Sequence, residues 1–180
     1  VEGNTLDRRP VPDSAGLCRL FRQVAEALGC LHRRGWLHTD IKPHNLIATG
    51  TGAVKVIDFD QSCPLGHQKE KIQGTTDYMA PEQARGGRMT PATDVYNLAA
   101  TLYWYLMDRP APTASTEPSA YVGRPGGEFV SPHEHRGDIP PALSRLIMDS
   151  LNPDPARRPA SMETVADRLR MVEQVIENRR

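Results

Sequence analysis

Four side chains in one stretch of the sequence carry the groups that a phosphate-handling site needs. Asp40 can accept a proton, and Lys42 can neutralise negative charge on the same side of the chain. Asn45 and Asp58 offer a neutral and an anionic oxygen, which are the ligands that Mg²⁺ prefers. Transfer of a phosphoryl group needs little beyond a proton acceptor, cations over the phosphates and accurate positioning. These residue types therefore predict a phosphoryl-transfer site.

A short hairpin is the element that must bring these groups together. Apolar runs at Leu46–Ala48 and Val54–Ile57 are separated by two Thr-Gly pairs, which predicts a tight β-hairpin. Because its strands lie side by side, the hairpin would carry Asn45 and Asp58 to the same end. Asp40 lies in the polar loop that leads into the first strand.

Helices are predicted for most of the remaining chain, because apolar residues recur at steps of three and four. Asp13 or Ser14 can cap the start of the first helix, and Gly35 lies where the helix should end. The stretches 60–77 and 108–138 show no period, and they predict a mobile surface loop and an irregular connection. The fold class is thus mainly α with a small β-hairpin. The predicted helices are Ser14–Arg33, Pro91–Met107, a helix through Leu143–Leu151, and Met162–Asn178.

Composition excludes several classes of protein. The 180 residues suit one domain or a large piece of one. Lys plus Arg and Asp plus Glu both number 22, so no net charge favours nucleic acid or an anionic membrane. The three cysteines have no CxxC spacing and fit a reducing compartment, which predicts a cytoplasmic protein. The start of the chain does not resemble a signal peptide, and the apolar segment Val95–Met107 is too short to span a membrane.

The order of the motifs carries a resemblance. H-x-D-x-K-x-x-N is followed by the short hairpin, then D-F-x, then Y-M-A-P-E. In this order the chain resembles the C-terminal lobe of a eukaryotic-type Ser/Thr protein kinase, and residues 74–86 are similar to the bacterial branch of that family. The resemblance implies that residues 1–180 are a partial kinase domain, a hinge plus C-lobe of the α+β kinase fold without its N-terminal β lobe. It also implies that residues 60–82 are the activation segment.

The resemblance implies a role for each matching residue of the site. Asp40 would be the catalytic base, and Lys42 would contact the transferred phosphate. Asn45 and Asp58 would hold Mg²⁺, or Mn²⁺ in its place, and would bind ATP together with Lys42. Thr75 would face the protein substrate. The residues in contact with adenine would be Val1, in the hinge, and Ile47.

Five further residues would support the site. His38 would pack near Phe59, Asp94 would anchor the backbone of the catalytic loop, and Glu82 would pair with Arg158. The residues alone leave alternatives open. Asp94 also suits an exposed helix start, where the helix dipole favours an acid. Glu82 and Arg158 could equally be two unrelated surface charges.

Three departures from the family pattern affect the prediction. Thr39 stands where the family usually has Arg, which argues against control by phosphorylation of the activation loop. Asp60 stands where the family usually has Gly, which predicts altered metal affinity or a stiffened switch. These 180 residues contain no glycine-rich loop of the family and no strand lysine that pairs with a helix glutamate. An N-lobe in cis or in trans is therefore an expected partner, and we expect little or no activity from the 180 residues alone.

Two classes of function follow. The first is the catalytic lobe of an ATP- and Mg²⁺-dependent Ser/Thr protein kinase, favoured by the joint presence of Asp40, Lys42, Asn45 and Asp58. The second is a truncated pseudokinase that acts as a docking module without catalysis, favoured by the three departures. A truncated reading frame without a function of its own is a further alternative.

Overall fold

Helices dominate the structure, which confirms the predicted fold class. The computed structural model describes residues 3–8, 12–68, 75–111 and 130–178. The strands are β1 (Asn4–Thr5), β2 (Trp36–Leu37), β3 (Leu46–Ala48), β4 (Val54–Val56) and β5 (Cys63–Pro64). The helices are α1 (Ser14–Arg33), α2 (Pro81–Ala84), α3 (Pro91–Met107), α4 (Pro132–His135), α5 (Pro141–Ser150) and α6 (Met162–Glu177).

The first helix, α1, is confirmed with the predicted bounds. The carboxylate of Asp13 caps it by accepting a hydrogen bond of 2.8 Å from the backbone N–H of Gly16. After its last turn the chain reverses at Gly35, whose φ of +83° lies in the left-handed region that glycine tolerates. The apolar face of α1 packs against α6 and α3. The residues of that face include Leu17, Phe21, Val24 and Leu28, which are all buried.

Helix α3 forms the centre of the molecule, as its apolar sequence predicts. It begins with Pro91 in the first turn, where the missing N–H costs nothing, and ends at Met107. All but three of its residues are buried, and it packs against α1, α5 and α6. The predicted helices at the C-terminal end are confirmed as α5 and α6.

The predicted hairpin is confirmed, although β4 ends one residue earlier than expected. Leu46 pairs with Val56 and Ala48 with Val54 in antiparallel register. The backbone N–H of Ile57 donates to the carbonyl oxygen of Asn45 at 2.9 Å, which continues the contact beyond the strands. The sequence did not predict β1, which pairs with β3 on its other edge and makes the sheet three-stranded.

The prediction of a mobile surface loop over residues 60–77 is partly wrong. Within it, β5 pairs with β2, and Leu37 lies opposite Cys63 in a small buried cluster. Farther along, Gln68 forms an isolated β-bridge with Arg88. Residues 69–74 of the predicted loop lie outside the described residues. The described chain resumes at Thr75.

The predicted irregular connection 108–138 contains one helical turn. Ser131 caps α4 by accepting a hydrogen bond from the backbone N–H of Glu134, whose carboxylate in turn accepts from the N–H of Ser131. Residues 112–129 of the connection lie outside the described part of the chain. Among the described helices, none is both long enough and apolar enough to cross a membrane.

Candidate active site

Asp40, Lys42 and Thr75 meet at one point. The ammonium group of Lys42 donates to Asp40 Oδ2 at 2.7 Å and to Thr75 Oγ1 at 3.0 Å. The backbone N–H of Thr75 also lies 3.5 Å from Asp40 Oδ1. Asp40 is only 7% exposed, so water screens its charge weakly and the contact with Lys42 compensates it. A carboxylate, a cation and a hydroxyl group are thereby held together in the loop that carries Asp40.

Asn45 lies directly beside Asp40. Its Nδ2 donates to the carbonyl oxygen of Asp40 at 2.9 Å and to Oδ2 of the same residue at 3.2 Å. This orientation leaves Oδ1 of Asn45 as the atom that can ligate a cation. Asp58 follows at the same end of the hairpin, exposed and with a left-handed φ of +62°. The hairpin therefore places Asp58 directly after Ile57, whose backbone N–H contacts Asn45.

The donor set fits Mg²⁺ shared with phosphates. Within the described ranges, no three His, Cys, Asp or Glu side chains cluster as a metal site. A Mg²⁺ ion bound through substrate phosphates and water, however, needs only one or two carboxylates from the protein. One carboxylate from Asp58 and one amide oxygen from Asn45 meet that requirement.

Asp94 anchors the loop that carries Asp40. Its side chain is fully buried, and its two oxygens accept from the backbone N–H groups of His38 at 2.9 Å and Thr39 at 2.7 Å. The alternative that Asp94 is an exposed residue at a helix start is therefore wrong. His32 Nε2 lies 2.8 Å from Asp94 Oδ2, a contact that sequence reasoning missed. The spacing in the sequence could have revealed this contact. His32 follows the buried Leu28 by one helical turn and therefore lies on the same face of α1.

His38 and Phe59 are in contact. Their ring centroids lie 5.0 Å apart, and Nε2 of His38 lies 3.1 Å from the carbonyl oxygen of Ile57. His38 is fully buried, whereas Phe59 is 50% exposed. The packing joins the loop that carries Asp40 to the turn after β4 and leaves one side of Phe59 open.

Glu82 and Arg158 form a bidentate ion pair, with N–O distances of 2.8 and 2.9 Å. The Arg158 side chain is fully buried, and its guanidinium lies 4.9 Å from the ring centroid of Tyr96. The hydroxyl of Thr93 donates to the same carboxylate at 2.9 Å. The alternative of two unrelated surface charges is therefore wrong.

A buried amide pair was not predicted. Gln83 Nε2 donates to the carbonyl oxygen of Thr39 at 2.7 Å, and Gln83 Oε1 accepts from the backbone N–H of Ala80 at 2.9 Å. Asn97 Nδ2 donates to the same Oε1 at 2.8 Å and to the carbonyl oxygen of Tyr78 at 2.7 Å. The pair connects the loop that carries Asp40, the segment at Thr75–Ala80 and α3.

Tyr78 lies next to this pair with an altered acidity. Burial raises the pKa of its phenol to about 12, and the nearby carboxylates of Asp77 and Asp7 act in the same direction. The hydroxyl therefore stays protonated at neutral pH, and Tyr78 takes no part as a base.

The predicted adenine contacts are described only in part. Ile47 lies in β3, half-buried, and pairs with Thr5 and Lys55 on its two sides. Val1 lies outside the described residues. Gly3 approaches β3 so closely that a Cβ there would lie 2.7 Å from Ile47 Cγ2.

Asp60 does not adopt the left-handed backbone conformation that the usual glycine of the family would permit at this position. Among the described residues other than glycine, a left-handed φ occurs at Thr39, Asp58 and Asp108 and not at Asp60. Its backbone N–H lies 3.4 Å from Asp58 Oδ1. Asp60 therefore fits here without backbone strain.

Comparison with known proteins decides the family. The family model described as protein kinase domain matches residues 4–169. The chain belongs to the protein kinase family. The predicted resemblance is thereby confirmed, and the matched range contains every described residue of the candidate site.

The relatives compared below are serine/threonine-protein kinases of bacteria. A probable serine/threonine-protein kinase of Clostridium acetobutylicum is 31% identical over 82% of this chain and 23% of its own length. The kinase PknB of Mycolicibacterium smegmatis is 31% identical over 96% of this chain and 28% of its own length. The kinase pkn3 of Myxococcus xanthus is 32% identical over 86% of this chain and 31% of its own length. The chain thus spans less than a third of the length of these relatives.

Proposed function

We propose that this chain is the catalytic lobe of a Ser/Thr protein kinase that transfers the γ-phosphate of Mg·ATP to a hydroxyl group of a protein. The observation that carries the proposal is the contact of Lys42 with both Asp40 and Thr75. It joins the proposed base, a phosphate-neutralising cation and the segment proposed to face the substrate. The family membership and the names of the relatives support the same activity.

The proposed mechanism assigns one task to each of these side chains. Asp40 accepts a hydrogen bond from the substrate hydroxyl and orients its oxygen toward the γ-phosphorus. As that oxygen bonds to the γ-phosphorus, the bond from the γ-phosphorus to the β–γ bridging oxygen breaks, ADP leaves, and Asp40 takes the hydroxyl proton. Lys42 leaves its contact with Thr75 when substrate enters, and its ammonium neutralises charge on the transferred group. Asn45 and Asp58 would hold Mg·ATP, which would supply the phosphoryl group and the positive charge that covers it. Asn45 and Asp58 would accept Mn²⁺ as well, because its oxygen-ligand preferences are similar.

The proposal extends to domain limits and partners. Residues 1–180 would be a hinge plus C-lobe, with 60–82 as the activation segment and 108–138 as an irregular connection. An N-lobe in cis or in trans would cover the half-exposed Phe59, and Ile47 with Val1 would face adenine. Cys18, Cys30 and Cys63 form no disulfide. This supports the cytoplasm as the proposed location.

A docking module without catalysis is the second candidate. The observation that favours it is Thr39, whose neutral, buried side chain cannot pair with a phosphorylated activation segment. In this alternative the protein would bind partners through the lobe and would transfer no phosphate.

Phosphate transfer by the full-length protein distinguishes the two candidates. We expect transfer from Mg·ATP to protein, and we expect Asp40→Asn to lower kcat about 100-fold or more, the usual effect of removing a catalytic base. Asp149→Asn is the matched control, because it neutralises a partly exposed carboxylate in α5 that pairs with Arg168 of α6. Equal transfer by wild type and Asp40→Asn would remove Asp40 from its role. No transfer by the wild type, with Mg·ATP or Mn·ATP, would favour the docking module.

A further inference from the structure

Thr39, the residue before the proposed base, is bound on three sides by three separate parts of the chain. Its backbone N–H donates to Asp94 Oδ1 in α3 at 2.7 Å. Its carbonyl oxygen accepts from Gln83 Nε2 in α2 at 2.7 Å. Its hydroxyl donates to the carbonyl oxygen of Gln61 at 2.7 Å. Thr39 is 1% exposed, so water does not compete for these bonds.

The backbone of Thr39 is held in an unfavourable conformation. Its φ of +61° lies in the left-handed region, which a β-branched residue rarely adopts. Such a conformation persists only where the surroundings determine it, and it concentrates at functional sites. The bonds from Asp94 and Gln83 fix the peptide groups on either side, and they would remain if the hydroxyl were lost. The hydroxyl is therefore a separate feature that the backbone conformation does not require.

The hydroxyl contacts the turn that carries the proposed metal ligand. Gln61 belongs to the turn after β4 that starts at Asp58, and the Ser62 N–H donates to the Phe59 carbonyl oxygen at 2.9 Å within it. The bond from Thr39 to Gln61 thus connects this turn directly to the residue that precedes Asp40. This hydrogen bond forms without an added charge and without modification of the activation segment.

We propose that Thr39 is a positioning residue whose hydroxyl group holds the Asp58–Ser62 turn in register with Asp40. The effect on metal binding rests on the proposed function. The hydrogen bond from the Thr39 hydroxyl to Gln61, called the tether below, does not. Asp58 would then be held close to its ligating position before a cation binds, and the ordering of this turn would not wait for phosphorylation.

Two complementary variants of the full-length protein test the proposal. Thr39→Val keeps the shape of the side chain and removes the hydroxyl, whereas Thr39→Ser keeps the hydroxyl and removes the methyl group. Ser150→Ala is the matched control, because it removes a buried hydroxyl that donates to a backbone carbonyl at the same distance of 2.7 Å, in α5. Hydrogen exchange is followed at the amides of residues 59–62 and, for comparison, in α3. The Mg²⁺ concentration for half-maximal transfer is measured in parallel.

We expect Thr39→Val to raise exchange at residues 59–62 about tenfold while α3 stays unchanged, and to raise the Mg²⁺ requirement about tenfold. Thr39→Ser and Ser150→Ala should stay within about twofold of wild type in both measurements. Unchanged exchange at residues 59–62 in Thr39→Val would overturn the tether. Faster exchange with an unchanged Mg²⁺ requirement would overturn the positioning role. An inactive wild type would count against the proposed function, and the exchange measurement would still decide the tether.

Discussion

At the scale of single residues, the buried carboxylate of Asp94 fixes the backbone of the loop that carries Asp40. Asp94→Asn replaces an acceptor oxygen with an NH₂ group that faces donors, so at least one buried N–H loses its partner. We expect the free energy of unfolding to fall by about 2–4 kcal/mol, as for other buried charged groups that lose their hydrogen bonds. Denaturation in urea measures the change.

Asp149→Asn is the control for that experiment. Its carboxylate accepts from Arg168 but is 43% exposed, so we expect a loss below about 1 kcal/mol. A similar loss in both variants would show that Asp94 is not a special anchor of the loop.

The sequence predicted candidate site residues where a motif fixes their spacing. Asp40, Lys42 and Asn45 stand at fixed spacing within one loop, so their order in the sequence singles them out, and their roles stay predictions. Gln83 and Asn97 lie in helices, where a buried amide leaves no periodic pattern. Their role depends on the carbonyl groups that the tertiary fold places against them, and the sequence does not specify that placement.

At the scale of elements, the hairpin turn depends on one glycine. Gly52 has a φ of +82°, whereas Gly50 in the same turn has no left-handed φ, and a Cβ at either would meet open space. Gly52→Ala should therefore lower the free energy of unfolding by about 1–2 kcal/mol through backbone strain alone. Gly50→Ala should be neutral or slightly stabilising. Thermal unfolding compares the two, and equal effects would contradict the account of the turn.

The long helices α1, α3, α5 and α6 could be predicted because each has a long apolar period, whereas α2 and α4 have only four residues each. α1 and α3 match the predicted bounds because Asp13 and Pro91 mark their starts. The strands β1, β2 and β5 were missed because each has only two residues, too few to show alternation. Their pairing is decided by the tertiary contacts of the whole chain, such as the antiparallel contact of β2 with β5.

At the scale of the whole molecule, the Glu82–Arg158 pair joins parts of the chain that are far apart in sequence. Arg158→Met leaves Glu82, whose side chain is only 12% exposed, without its cation. We expect a loss of about 3–5 kcal/mol in the free energy of unfolding. The double variant Glu82→Gln/Arg158→Met should lose less than the sum of the single variants, because they share one interaction.

An exposed ion pair supplies the comparison. Arg33 and Glu163 also form a contact between distant segments, but their side chains are 63% and 51% exposed. Arg33→Met should cost less than about 1 kcal/mol. A loss as large as that of Arg158→Met would mean that burial does not set the difference between the two pairs.

The account as a whole depends on the hairpin bringing two oxygen donors to one cation beside Asp40. The most direct test is a crystal structure of the full-length protein with Mn²⁺ and a non-hydrolysable ATP analogue, with the manganese located by its anomalous scattering. We predict one strong manganese peak within about 2.3 Å of both Asn45 Oδ1 and an oxygen of Asp58, a distance set by the usual range for oxygen-ligated cations. A manganese ion bound with the nucleotide but away from both side chains would contradict the account.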